Sequence, residues 1–456
     1  KELQNDLQNK INEHTKKIKQ ELMTSESYAK IRFKISVLQA KYKALASEAD
    51  THVVAWSHIA FCYFSLGRYY EARIAYQEVL RLYPESSHAK SARLAIIVTL
   101  LRQEKIDEAE SAYVEFLKLY PHDKLVEDVR FAIGYYLYEV EKYAKAKEQF
   151  IKGLTEFPEG STAEDCQYYL ANCYFFLEDF EKAIFEYRKF IDEWPNSASL
   201  DAAHYFIGFS YFELGNYQRS ASALQKFIEQ FPESLYVVEA IYKIGDNYFC
   251  QGMFDEAIKQ YAQIIEKHPE HNLASLSFLQ IAASYYFLKD HQNMLNAYRT
   301  LTKRYPKSLH AAEALYAIAR YYYQNGEYEN AAEAARKTVT DYPGTESAIK
   351  SQLIVAATVF NAGEYEQALS EYKFIMSAYQ ASEYVDVAIE GIMQCLLQFA
   401  DEEQVAFEYN TLIAQFADDA SLVTKLTISL AKILSDKGEC VRAYEMVKAS
   451  LDSLPE

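Results

Sequence analysis

Apolar residues recur along this chain at helical spacing, in paired runs joined by short polar breaks. The stretch from Val53 to Pro84 shows the unit. Trp56, Ile59, Ala60 and Tyr63 fall three or four apart, on one face of a first helix. Leu66-Gly67 interrupts the pattern, and glycine accepts the backbone turn needed there. Tyr69, Ala72, Tyr76, Val79 and Leu80 mark the apolar face of a second helix. Tyr83-Pro84 closes it, because proline cannot continue a helix. The spacing predicts a helical hairpin, with the small residues Ala60 and Ala72 where its two helices approach closely.

The hairpin repeats every 37 residues. Prolines stand at 84, 121, 158, 195, 232, 269, 306 and 343. The Ala72 column continues as Ala109, Ala146, Ala183, Ser220, Ala257, Met294, Ala331 and Ala368, in the same register. The pattern divides the chain into three segments. Residues 1–49 form N-terminal helices, either a cap or a degenerate repeat. Residues 50–382 form a regular array of nine repeats. Residues 383–456 form two degenerate repeats and a C-terminal cap, as expected where a terminal repeat lacks a neighbour.

The residues Trp56, Ile59, Ala60, Tyr63, Gly67, Tyr69, Ala72, Tyr76 and Pro84 resemble the tetratricopeptide repeat (TPR) pattern. The usual TPR period is about 34 residues. Here three residues are added after each proline, as in Pro84-Glu85-Ser86 and Pro232-Glu233-Ser234. That variant is similar to bacterial envelope TPR proteins of the β-barrel assembly lipoprotein and Tol–Pal-associated types. The resemblance implies an all-α fold, a right-handed α-solenoid of stacked helical hairpins. It implies a non-enzymatic scaffold that binds a protein or peptide partner in a concave groove. It also implies a place in the bacterial periplasm or anchored to the envelope, with a signal or anchor expected upstream of Lys1.

Composition and motifs sharpen this picture. A chain of 456 residues exceeds the roughly 250–300 that one compact core sustains, and a solenoid removes the difficulty. The net charge is −18 and residues 1–50 carry +3, so the repeats are strongly acidic. Nucleic acid is therefore not an expected partner, since phosphate binding needs a basic surface. No apolar run approaches the ~20 residues of a membrane helix, so no membrane insertion is expected. Six cysteines show no CxxC or metal-ligand spacing. Cys62, Cys173 and Cys395 share one column and read as buried thiols. Unpaired cysteines favour a reducing compartment and make the cytoplasm the alternative location. There is no Gly-rich phosphate loop, HExxH, GxSxG or EF-hand loop, so no catalytic residue, cofactor or metal is expected. His268-Pro269-Glu270-His271 falls in an ordinary inter-repeat turn.

The first helices supply the candidate site. Beside their packed face run the Ser57 and Phe61 columns, which the TPR resemblance places in the groove. The Ser57 column gives Phe131, Tyr168, Tyr205, Tyr242, Leu279 and Tyr316. The Phe61 column gives Asn172, Phe209, Asp246, Ala283 and Arg320. These are the expected partner-binding residues. The Val54 column adds Asp128, Asp165, Glu239 and Glu313, so the groove is expected to be aromatic and mainly acidic. The Phe64 column is expected to thicken the core between helices. Only Asn172 fits the lysine and asparagine clamp by which some TPR domains hold a C-terminal carboxylate, which disfavours a chaperone-tail receptor. The seventh repeat departs from the pattern at His291 and Met294. Its groove side offers Leu276, Leu279 and Ala283, low and apolar between Tyr242 and Asp246 on one side and Tyr316 and Arg320 on the other. The deepest concavity is therefore expected near Ala283. The alternative function is a periplasmic small-ligand-binding accessory of a transporter, which needs an enclosed pocket.

Overall fold

A computed structural model describes residues 49–379, 384–398, 402–417, 419–436 and 438–452. The helices expected before Ala49 lie outside the described residues. The described chain is all-α and built of stacked helical hairpins. It divides into two compact units, Lys1–Ala223 and Leu224–Glu456.

The first unit pairs α1 (Ala49–Ser65) with α2 (Tyr69–Leu82), α3 (Ala89–Arg102) with α4 (Ile106–Leu119), and α5 (Leu125–Glu139) with α6 (Tyr143–Glu156). It continues with α7 (Ala163–Phe176) and α8 (Phe180–Glu193), then α9 (Leu200–Glu213) and α10 (Tyr217–Gln230), within which the division falls. The second unit has α11 (Val237–Cys250) with α12 (Phe254–Lys267), α13 (Asn272–Phe287) with α14 (His291–Arg304), and α15 (Leu309–Gln324) with α16 (Tyr328–Asp341). There follow α17 (Glu346–Asn361) and α18 (Tyr365–Ala378), α19 (Val385–Gln398) and α20 (Glu402–Gln415), and α21 (Ala420–Asp436) and α22 (Cys440–Asp452). Among the described residues no helix is long and apolar enough to cross a membrane.

Among the described residues, the turns inside the hairpins use one left-handed residue. Gly67 takes it with φ +72, and the Arg68 N–H reaches back to the Tyr63 carbonyl at 2.9 Å, which satisfies a helix-end acceptor. Four repeats put a side chain there instead: Glu104, Glu141, Glu178 and Lys289, with φ of 58, 60, 60 and 61. An aromatic pair then staples the two helices. Phe64 meets Tyr69 edge-on at 5.4 Å, and the same contact recurs in Phe175–Phe180 at 5.6 Å, Phe249–Phe254 at 5.4 Å and Phe360–Tyr365 at 5.3 Å. The Phe64 column therefore belongs to the hairpin's own packing.

Below that staple the alanine column lets the helices close. Ala72, Ala109, Ala146, Ala183, Ala257, Ala331 and Ala368 are all fully buried. Met294 takes the place of alanine in the seventh repeat and is buried too. Tyr113, Phe150, Tyr187 and Tyr261 fill the layer one turn further on. Burying each such ring contributes roughly 2–3 kcal/mol.

At five of the prolines the residue two further on has a polar duty at the entry of the next hairpin. Ser197, Ser234 and Ser308 each accept the N–H two residues on, and Asp123 and His271 do the same. These side chains cap backbone donors that the entering helix leaves unpaired. The tyrosine before the proline ties neighbouring turns together. The Tyr305 hydroxyl donates to the Pro269 carbonyl at 2.9 Å, and Tyr342 donates to Pro306 at 2.6 Å.

One column separates the units. The position of half-buried Trp56 is polar through the rest of the first unit, as Arg93, Arg130, Gln167 and His204. In the second unit it becomes Ile241, Phe278, Leu315, Gln352 and Ile389, all buried. Arg130 is 3% exposed and lies 4.1 Å over the Tyr113 ring. It donates to Glu156 at 2.7 Å and to Gln149 at 2.9 Å, so its charge is answered inside the unit. Trp194, the other tryptophan, packs on Phe190 in the same unit at 5.8 Å.

Candidate functional site

The Ser57 and Phe61 columns meet different surroundings in the two units. In the first unit the rings pack on one another. Tyr169 is the hub, 5.8 Å from Phe131, 5.1 Å from Tyr135 and 5.4 Å from Tyr168. In the following repeat Phe206 is the hub, 5.3 Å from Tyr205 and 5.0 Å from Phe175, while Phe209 packs on Phe175 at 5.2 Å. Two of the expected partner-binding residues are buried outright. Asn172 is 4% exposed and accepts a hydrogen bond from the Tyr187 hydroxyl. Tyr205 is 6% exposed. Neither presents a face to a partner, because neighbouring rings occupy the space the groove was expected to leave open.

In the second unit the same columns open into a cavity of about 560 Å³. Its floor is Leu276, Leu279 and Ala283 on α13, with Tyr298 of α14 beneath. Tyr316, Ala317 and Arg320 of α15 form one wall, and Lys350 of α17 stands at the rim. Four expected site residues, Leu279, Ala283, Tyr316 and Arg320, thus come together. A neighbouring concavity of about 360 Å³ lies on the far side of Tyr316 and Lys350, lined by Leu353, Ala357, Tyr372 and Tyr384.

The column next to the Ser57 column on the first helix differs between the ring clusters and the cavity. In the fourth and fifth repeats it holds Tyr169 and Phe206, the two hub rings, after Ala95 and Ala132 in the second and third. In the seventh and eighth repeats it holds Gln280 and Ala317, both cavity-lining and smaller than the hub rings.

Tyr242 and Asp246 depart from expectation. Tyr242 packs on the Tyr261 ring at 5.3 Å, and burial pushes its phenol pKa upward. Asp246 accepts from the Tyr261 hydroxyl at 2.8 Å and pairs with Lys243 of its own helix at 3.2 Å. Burial raises its carboxyl pKa, with Lys243 opposing. It therefore serves the hairpin interior and does not face Arg320 across the floor.

The cavity is also not acidic overall. Glu313 and Glu346 are matched by Arg320 and Lys350. Lys350 falls on the Val54 column, read from its neighbours as acidic, and reverses the sign there. It pairs with Glu346 at 2.5 Å, and Glu346 also accepts from the Tyr384 hydroxyl at 2.8 Å. Lys350 and Arg320 each sit 5.8 Å from the Tyr316 ring, a distance at which cation and ring attract. Tyr298 is held un-ionised by burial; the field of Arg320 opposes this and that of Glu313 adds to it.

The cysteines are not part of this site. Cys62, Cys166, Cys173 and Cys395 are buried, and burial pushes Cys62 up to about 11 and Cys173 up to about 12. His271 of the candidate histidine turn is engaged as a helix cap, with Nε2 3.6 Å from Glu239.

Comparisons with known proteins agree with the hairpin architecture. Tetratricopeptide-repeat family models match residues 53–86, 239–271 and 279–345. A family described as outer membrane lipoprotein (YfiO) matches residues 130–246. No curated protein sequence matches the chain. Among solved structures, the C-terminal part of a TPR repeat-containing protein from Cytophaga hutchinsonii is 17% identical, with a TM-score of 0.43 over 57% of this chain and 98% of that one. A tetratricopeptide repeat protein from Parabacteroides merdae is 14% identical, with a TM-score of 0.35 over 57% and 96%. YrrB, described as a TPR protein with an unusual peptide-binding site, is 20% identical, with a TM-score of 0.34 over 44% and 97%. Tetratricopeptide-repeat matches thus fall in each unit, and the described residues between and beyond them form hairpins of the same kind.

Proposed function

We propose that the protein is a non-enzymatic interaction scaffold and that its second unit holds a segment of a partner protein in the cavity over Ala283. The observation that carries this is the cavity itself. Apolar floor, tyrosine wall and charged rim come from the first helices α13, α15 and α17 in one register. Tyrosine offers large contact area at low entropic cost, and its hydroxyl satisfies polar partners. The outer membrane lipoprotein match over 130–246 supports a bacterial envelope location.

The test is selection of random peptides displayed on phage against the full chain. Peptides are expected to enrich on the native protein and to be lost on Ala283→Trp, whose indole fills the floor. Circular dichroism checks that the variant keeps its helices. Equal enrichment on both proteins would sink the assignment.

A small-ligand reading has one observation in its favour. About 560 Å³ falls within the roughly 300–1,000 Å³ typical of small-molecule sites. Native mass spectrometry of the protein purified from its own cells decides it. A bound small molecule that Ala283→Trp abolishes supports this reading, and a clean apo mass removes it.

A further inference from the structure

We infer that the cavity of the second unit selects a peptide segment carrying opposite charges about three residues apart, with an apolar residue between them. This rests on the peptide-scaffold reading and specifies its partner. Glu313 and Arg320 lie seven residues apart on α15, so they share a face and stand roughly 10 Å apart along the helix. Both are exposed at the cavity. Among the described residues, neither forms an ion pair, whereas Lys350 is taken up by Glu346. Arg320 rests beside the Tyr316 ring but, like Glu313, has no charged partner among the described residues, and the two are too far apart to neutralise each other.

Tyr316 stands between them, and the floor of Leu279 and Ala283 faces the same space. A segment in the polyproline II conformation rises about 3.1 Å per residue with three residues per turn, so side chains three apart share a face and span roughly the distance from Glu313 to Arg320. A basic side chain on such a segment meets Glu313 and an acidic one meets Arg320. The apolar side chain between them then covers the floor. A segment lying over these charges displaces their water, and a charge left unpaired under cover is costly. A uniformly acidic segment would set its second carboxylate against Glu313, and a uniformly basic one would meet Arg320. Selection therefore comes as much from rejection as from attraction.

The peptide selection is repeated on Arg320→Glu and on Glu313→Lys. Both replacements are at exposed helix positions, and circular dichroism verifies the fold. Sequences that depend on Ala283 are expected to show the opposite-charge spacing on the native chain. On Arg320→Glu the acidic position should become basic, and on Glu313→Lys the basic position should become acidic. A synthetic peptide of the native consensus should lose about tenfold or more in affinity on Arg320→Glu, and the charge-exchanged peptide should recover it. Raising the salt should narrow that difference. Peptides lost on Ala283→Trp but indifferent to both charge variants would overturn the inference and leave the scaffold reading in place. Absence of any Ala283-dependent peptide would overturn both.

Discussion

The two units share one hairpin and use it differently. The first answers its polar residues internally: Arg130 is buried against Glu156, Gln149 and Tyr113, and Gln167 donates to Glu186. Its groove-side rings pack on Tyr169 and Phe206. The second places Ile241, Phe278 and Leu315 where the first has arginine, glutamine and histidine. There Gln280 and Ala317 replace the hub rings and a cavity remains. A repeat protein can thus keep its backbone period and vary only which columns are filled. Space packed with rings in one unit corresponds to open volume in the other.

The largest expected effect breaks the polar interior of the first unit. Arg130→Ala removes a buried cation and leaves Glu156 and Gln149 without it. Breaking a buried pair costs about 3–5 kcal/mol, and the partly exposed Glu156 can regain water, so about 2–3 kcal/mol is expected. Urea unfolding followed by circular dichroism measures it, and peptide selection by the second unit should be unchanged. A loss below about 1 kcal/mol would erase the contrast in how the units hold their interiors.

Next comes a matched pair at one column. A methyl added at Gly245 would lie 2.5 Å from the Tyr261 ring, and one at Gly134 would lie 2.7 Å from Phe150. Tyr261 is tethered through its hydroxyl to Asp246 and has less freedom to yield. Gly245→Ala should cost about 2–3 kcal/mol and Gly134→Ala about 1–2. The reverse order would show that the aromatic packing of the first unit is the stiffer of the two.

The turns should not distinguish the units. Glu178→Gly in the first and Lys289→Gly in the second each relieve a side chain in the left-handed region. Each should stabilise by about 0.5–1 kcal/mol, after glycine's own entropic cost is deducted from the 1–2 kcal/mol penalty. A gain in only one of them would reveal a second difference between the units.

The smallest effect depends on pH. The folded-state pKa of Asp246 is raised, so ionising it works against folding as pH climbs from 3.8 through that raised value. Asp246→Asn keeps an acceptor for Tyr261 and removes the charge. Its Tm should equal or exceed that of the native chain at neutral pH, and the difference should vanish below pH 3.8. A lower Tm at neutral pH would mean that the Lys243 pair outweighs burial.

The hairpins were legible because each depends on its own residues. The prolines, the alanine column and the turn position at Gly67 act locally, and spacing reveals them. The candidate site was only partly legible. Leu279, Ala283, Tyr316 and Arg320 do line one cavity, because they project from successive first helices. Asn172 and Tyr205 do not reach solvent, since whether a column stays open depends on the bulk of a neighbouring one. The shrinkage from Tyr169 and Phe206 to Gln280 and Ala317 was visible in the sequence, but it has meaning only once the columns are known to touch. Lys350 was hidden by the acidic residues that share its column.

Both tryptophans of the chain, Trp56 and Trp194, belong to the first unit. Trp194 is half-buried against Phe190. Light absorbed at the red edge, where tyrosine is transparent, therefore excites only that half of the molecule. Its emission reports solvent reaching the first unit, while far-ultraviolet circular dichroism reports helices in both. The chain thus carries its own optical label, and the melting of one half can be followed without attaching a dye to either.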